Sequence, residues 1–187
     1  MGLAGIGEAA AFSSVTDYKA LVCVFLYGGN DHGNTLIPYD AENYARYAEI
    51  RGGQGDDGGG IALPRASLAD TVLTTPDDQE LTDNQTYALA PTMPLLKARF
   101  DEGTMAPLLN VGPLEAPLTR TQYDDRSVPI PSKLFSHNAQ QSPWQSSQPE
   151  GAISRWGGRI SDMAQRANTT ALYTAINATR NAVFLSG

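Results

Sequence analysis

The sequence predicts an α/β fold in which a mainly parallel sheet is flanked by helices. Residues 21–27, LVCVFLY, form an unbroken apolar run, as expected for a strand that is buried on both faces. Residues 92–102, TMPLLKARFDE, carry apolar side chains at helical spacing and end at Gly103. Residues 105–111, MAPLLNV, are a second apolar run. Strand, helix and strand in this order are typical of a parallel crossover unit.

Composition places limits on the partners of this chain. Its 187 residues carry a formal net charge of −7, which argues against nucleic acid or an anionic membrane as the main partner. No segment is long and apolar enough to span a bilayer. The one cysteine, Cys23, cannot form an internal disulfide, and its place in the apolar run predicts a small hydrophobic residue and not a nucleophile.

The first 18 residues differ in character from the rest. They are small, alanine-rich and mildly apolar, and Ala9-Ala10-Ala11 resembles an export cleavage pattern. Residues 1–18 are therefore interpreted as the remnant of an export signal, the alternative being a flexible tail. Residues 19–187 are expected to form an incomplete domain, because the chain stops directly after a strand-like run.

The loop after the first apolar run is the first candidate site. Gly28 and Gly29 allow a sharp turn and a close approach to a ligand, and polar residues follow: Asn30, Asp31, His32 and Asn34. Ligands bind at the carboxyl ends of strands in open α/β sheets, and a carboxylate beside amide oxygens suits a divalent metal ion. The alternative is ordinary turn chemistry, since Asn and Asp bond their own backbone.

Further elements follow along the chain. Residues 40–51 predict a helix capped by Asp40, with Tyr44, Tyr47, Ala48 and Arg51 on one side. The two tyrosines are expected to pack against the core, the alternative being contact with a substrate. Residues 61–63 predict a short strand, and residues 71–88 a hairpin or an irregular loop. The last predicted elements are a long proline-rich loop over 112–133, a helix over 155–166, and strands over 171–178 and 182–185.

Ser136 and His137 are the second candidate site. Adjacent side chains do not form a catalytic triad, but a serine activated by a metal needs no histidine base, and His137 could bind a metal or an anion. The alternative is an N-cap serine beside a satisfied histidine. Gln141 and Trp144 would suit a sugar or a polar ester as substrate-binding residues, or would pin a loop to the core.

Several stretches together resemble the domain-of-unknown-function 1501 family of exported bacterial proteins. They are VFLYGGNDHGNTLIPYD, LLNVGPL, LTRTQYD, LFSHNAQQSPWQ and RWGGRISD, in matching order and spacing from Lys19 onward. That family is similar to the alkaline phosphatase and sulfatase superfamily, whose members hydrolyse phosphate or sulfate esters at metal sites. The resemblance implies an alkaline-phosphatase-like fold and a twin-arginine export signal. It also implies that residues 19–187 are the N-terminal part of an α/β hydrolase-like domain.

The resemblance also implies roles for particular residues. Asp31 matches the aspartate after the first strand, which binds metal (Zn, Ca or Mn), and Ser136 lies where the nucleophile is expected. Asn34 and His137 would orient the anion. The chain departs from the family at Ala139, where an aspartate is usual, at His32, and in lacking the C-terminal half that supplies the remaining ligands.

The function predicted from these motifs is that of an exported, metal-dependent hydrolase of sulfate or phosphate esters. Its substrate would be a small-molecule or polysaccharide ester, met in the periplasm or outside the cell. The alternative is a non-catalytic exported binding or surface protein that retains the fold.

Overall fold

The computed structural model describes most of the chain, in seven stretches: residues 20–26, 28–53, 59–76, 81–131, 133–147, 153–178 and 182–186. The predicted export-signal remnant, residues 1–18, lies outside them. The chain divides into two compact units. Gly29–Leu109 form one unit, and the described residues up to Gly28 form the other together with those from Asn110 onward.

The unit 29–109 contains a small antiparallel sheet. Its strands are β1 (Leu36–Pro38), β2 (Val72–Leu73) and β3 (Tyr87–Leu89), in the order β1-β3-β2. Ala88 of β3 lies opposite Ile37 on one side and opposite Val72 on the other. The central strand is therefore the last of the three in sequence.

Two helices accompany this sheet, α1 (Ala41–Ile50) and α2 (Pro94–Asp101). Asp40 caps α1, and its carboxylate accepts hydrogen bonds from the Asn43 backbone N–H at 2.9 Å and from the Asn43 side-chain amide at 3.0 Å. Burial alone would raise the pKa of Asp40, but the bonds from Asn43 outweigh it and lower that pKa. A proline in the first turn of α2 suits a position where no backbone donor is needed.

The core of this unit lies between α1, the sheet and the 3-10 helix Arg65–Thr71. It consists of residues from each of these elements and one from the preceding loop: Ile37, Tyr44, Tyr47, Ala62, Leu68 and Ala88. Tyr44 and Tyr47 point inward from consecutive turns of α1, with their ring centroids 5.7 Å apart. The prediction that these tyrosines pack against the core is confirmed.

The second unit is built from α3 (Arg120–Asp125), α4 (His137–Ser146) and α5 (Trp156–Gln165). Thr119 and Gln122 form a reciprocal capping box at the start of α3. Two arginines join α5 to α4: Arg155 donates to the Ser142 hydroxyl at 2.8 Å, and Arg159 donates to the Ser146 carbonyl at 3.1 Å. The two helices are therefore tied together by cationic donors, which make stronger hydrogen bonds than neutral ones.

Two aromatic rings pack together at the start of α5. The rings of Trp156 and Phe184 meet edge to face with centroids 4.5 Å apart. Gly157 is buried beside them, and a Cβ added there would overlap the Phe184 ring. The absence of a side chain at Gly157 thus allows the ring of Phe184 to pack against α5.

The predicted fold class is wrong. The strands in the described part of the chain form a three-stranded antiparallel sheet, and no mainly parallel sheet flanked by helices is present there. Residues 21–26 are exposed and outside any strand, as are residues 108–111. An apolar run indicates which side chains favour burial, but a parallel strand also needs neighbours, and these described runs have no ladder partner.

Some of the predictions for individual elements are confirmed and others are wrong. The helices predicted over 40–51, 92–102 and 155–166 are confirmed within a residue or two. The strands predicted over 171–178 and 182–185 are wrong, because the structure has short 3-10 helices at Ala171–Tyr173 and Ala182–Leu185. Among the described residues, no helix has the length and apolar character that crossing a membrane requires.

Candidate functional site

Asp31 organises the loop that the sequence singled out. The preceding Gly29 has a φ of +68°, which glycine adopts without strain. Asp31 then caps the short 3-10 helix His32–Asn34, since its carboxylate accepts a hydrogen bond from the Gly33 N–H at 3.2 Å. The loop is therefore an ordered turn held by its own aspartate.

Arg51 occupies the other oxygen of this carboxylate. Its Nη2 donates to Asp31 Oδ2, and the two side chains form an ion pair across 20 residues of sequence. Arg51 stands at the C-cap of α1, so the pair links the loop to the end of that helix. Its Nε is buried and has no hydrogen-bond partner among the residues described.

The residues around Asp31 do not by themselves fit a metal ion. One carboxylate oxygen is bonded to a backbone N–H and the other to a guanidinium, whose positive charge repels a cation. In the stretches that the structure describes, no group of three or more His, Cys, Asp or Glu side chains is placed to hold a metal. A metal at Asp31 would have to displace Arg51 and draw on further ligands.

Asn34 is fully engaged in holding the loop. Its amide nitrogen donates to the Ile61 carbonyl at 2.8 Å, and its amide oxygen accepts from the Tyr47 hydroxyl at 2.5 Å. That hydroxyl also accepts from the Leu63 N–H at 2.8 Å. Burial raises the pKa of Tyr47. The Asn34 amide thus links Tyr47 of α1 to the backbone of Ile61 by hydrogen bonds. From the sequence, Asn34 was expected to orient an anion.

Ser136 and His137 lie at the start of α4. Ser136 is the N-cap residue, with an extended backbone, but its side chain makes no capping bond to the helix. Its carbonyl accepts from the Gln140 N–H at 2.9 Å, which begins the helix. His137 is the first helical residue and is exposed. The serine therefore occupies the cap position without using its hydroxyl as a cap.

The two remaining predicted site residues lie on the same helix. His137, Gln141 and Trp144 follow the i, i+4, i+7 spacing and so share one face of α4. The Gln141 amide nitrogen is buried and has no hydrogen-bond partner among the described residues. Trp144 is partly exposed. The structure therefore gathers these three residues on one face of a helix, which the sequence indicated only through the N-cap alternative for Ser136.

The predicted site residues fall into two groups. Asp31 and Asn34 belong to the unit 29–109, and the four residues of α4 and its cap belong to the other unit. Each group therefore belongs to a different compact unit. The role of Arg51 at Asp31 was not predicted from the sequence, although Arg51 and Tyr47 were placed on one side of the helix, and that spacing was the available signal.

Comparisons with known proteins add no relative. No protein family, no curated protein and no solved structure matches this chain. The resemblance drawn from the sequence motifs therefore stays a prediction.

Proposed function

We propose that this chain takes part in the hydrolysis of sulfate or phosphate esters outside the cytoplasm, with the start of α4 as the surface that contacts the ester. One observation carries the proposal: the hydroxyl of Ser136 stands at the N-cap of a ten-residue helix and makes no capping bond. A hydroxyl in that position is available to a ligand, and the backbone N–H groups of a first helical turn favour an anion.

The proposed chemistry uses the residues on this face of α4. The Ser136 oxygen would form a bond to phosphorus or sulfur while the bond to the departing alcohol breaks, and the hydroxyl proton would pass to the alcohol oxygen. Water would then cleave the serine ester. His137 would donate a hydrogen bond to the anion, and Gln141 and Trp144 would contact the organic part of the substrate.

The first experiment measures turnover of nitrophenyl phosphate and nitrophenyl sulfate by the 187-residue chain, without added metal and with zinc, calcium or manganese. Ser136→Ala should reduce turnover at least about a hundredfold, because it removes the nucleophile. Ser127→Ala, at an exposed serine of the same unit, is the matched control. Equal activity in both variants would contradict the role of Ser136.

Metal binding at Asp31 is a separate proposal that concerns the unit 29–109 alone. Asp31 would be a ligand of a divalent ion once Arg51 is displaced. Metal content after dialysis should then fall in Asp31→Asn and rise in Arg51→Gln, since the second change removes the competing cation. If neither variant changes metal content, Asp31 is only the partner of Arg51.

A non-catalytic exported binding protein is the second candidate. The engagement of Asp31 by Arg51 favours it, because a carboxylate already neutralised by a guanidinium is a poor metal ligand. This candidate predicts no turnover of either ester under any metal condition. Turnover that Ser136→Ala abolishes would exclude it.

A further inference from the structure

A groove in the unit 29–109 lies beside α1 and the edge strand β1. It has a volume of about 330 Å³, within the range of small-molecule sites. Its apolar walls come from β1, β3 and the end of α1: Leu36, Pro38, Tyr87 and Ile50. Leu36 and Pro38 are two residues apart on one strand and so present the same face.

The charged side chains that line this groove are both cationic. Arg46 and Arg51 contribute to its lining, and no carboxylate does so among the residues described. This is notable in a chain with a net charge of −7. A groove with apolar walls and two guanidinium groups is complementary to an anion attached to an apolar body.

Arg46 has a carboxylate partner that a ligand can replace, whereas Arg51 keeps its ion pair with Asp31. Arg46 pairs with Glu42 at 2.6 Å one helical turn away, and these side chains are 67% and 76% exposed. Exposed pairs of this kind contribute little to stability, because water competes for both charges. An incoming anion therefore has little to overcome at Arg46, and Arg51 presents a second cation less than two turns along the same helix.

We propose that this groove binds a small organic anion, with a sulfonate, sulfate, phosphate or carboxylate group at Arg46 and Arg51 and an aromatic or aliphatic body against Leu36, Pro38 and Ile50. The site is argued from residues 33–87 alone. It does not depend on the hydrolase proposal, because it uses neither Ser136 nor a metal ion.

The test is calorimetric titration of the 187-residue chain with naphthalenesulfonate, compared with the uncharged naphthalenemethanol. The sulfonate should bind at least about tenfold more tightly, since only it pairs with the arginines. Arg46→Gln and Ile50→Ser should each weaken sulfonate binding several-fold to tenfold. Glu42→Gln should strengthen it, because it frees Arg46.

Matched controls are available in the same unit. Arg99 is 65% exposed and pairs with Glu102, so Arg99→Gln removes an equivalent charge away from the groove. Leu95 and Ile50 are both 82% exposed, so Leu95→Ser removes an equivalent apolar side chain. Both controls should bind like the unaltered chain, and folding of all variants is checked by circular dichroism.

Three results would overturn the proposal. The first is no binding of the sulfonate. The second is equal loss of binding in the groove variants and their controls. The third is loss of binding in Val24→Lys, which would place the probe on the exposed apolar run 21–26. Turnover of nitrophenyl esters is a separate measurement, so failure of the groove and failure of the hydrolase proposal are distinguishable.

Discussion

One hydroxyl group, that of Tyr47, joins three segments of the unit 29–109. It donates to Asn34 and accepts from the Leu63 N–H, so it connects the candidate loop, helix α1 and residues 61–63. Arg51 adds a second connection one turn further along α1. At the residue scale, the loop predicted as a ligand site is held in place by side chains of the neighbouring helix.

Tyr47→Phe should lower the free energy of unfolding by about 1–3 kcal/mol, because it leaves the Leu63 N–H and the Asn34 amide oxygen without their partner. Urea unfolding measures this change. Tyr173→Phe, at a tyrosine that is largely exposed, is the control and should change it little. An equal effect of the two substitutions would show that the hydrogen bonds of Tyr47 contribute nothing.

The same tyrosine predicts a loss of stability at alkaline pH. Because burial raises the pKa of Tyr47, the folded chain keeps this proton to higher pH than the unfolded chain does. Stability should be unaffected below the ordinary tyrosine pKa of about 10 and should fall as the pH rises above it, because the unfolded chain then releases the proton while the folded chain still holds it. Tyr47→Phe should lessen this loss of stability at alkaline pH, because phenylalanine has no proton to release. An identical pH profile in the variant would contradict the role of Tyr47.

At the scale of elements, α5 depends on a glycine where an alanine would otherwise be favoured. Gly157 lies against the ring of Phe184, and the ring also contacts Trp156. Helix propensity alone would favour alanine by about 1 kcal/mol. Overlap with the ring opposes that gain, and overpacking of this kind costs about 1–3 kcal/mol.

Gly157→Ala should therefore destabilise the unit that contains α5, by about 1 kcal/mol after the propensity gain is subtracted. Gly112→Ala is the control in the same unit, because nothing lies within 4 Å of an added Cβ there. Combining Gly157→Ala with Phe184→Leu should recover part of the loss. Thermal unfolding tests all three, and a more stable Gly157→Ala variant would contradict the packing argument.

The apolar run 21–26 was predicted to be a buried strand, but it is exposed in the structure. Val24 is 76% exposed, so Val24→Lys should change the free energy of unfolding by less than about 0.5 kcal/mol. Ile37→Lys places the same charge at a fully buried position and should unfold the unit. If Val24→Lys is as damaging as Ile37→Lys, the run is buried in solution and the strand prediction regains support.

At the scale of the whole molecule, the chain divides into two compact units. The unit 29–109 contains a sheet, two helices and a core cluster that includes Ile37 and Ala88. The bonds that hold its candidate loop also begin and end within it. These features are those of a part that can fold without the rest.

A fragment comprising residues 29–109 should therefore fold by itself, with cooperative urea unfolding and dispersed amide signals in NMR spectra. Its stability should be small, since short domains bury little of their surface. Ile37→Ala in the fragment should reduce that stability by about 2–5 kcal/mol or unfold it, because Ile37 is fully buried. A fragment without cooperative unfolding would contradict the division into units.

The sequence by itself determined the helices 41–50, 94–101 and 156–165 and the inward face of α1. These features depend on local signals: spacing in all three helices, the Asp40 cap of α1, and the glycines that follow α1 and α2. Helix α4 was indicated only by the N-cap alternative for Ser136, because the stretch is polar and contains Pro143, so periodicity gave little signal. The residues suggested for substrate contact were nevertheless brought onto one face of it.

Only the tertiary structure decided the sheet and the neighbours of Asp31. Strand pairing joins residues such as Ile37 and Ala88 that are far apart in sequence, and no pattern within the run 21–27 states which partner a strand will find. The partner of Asp31 likewise comes from the far end of α1, because the helix returns Arg51 to the carboxylate. Helices depend on residues that are close in sequence, whereas the pairing of distant groups depends on how the elements pack.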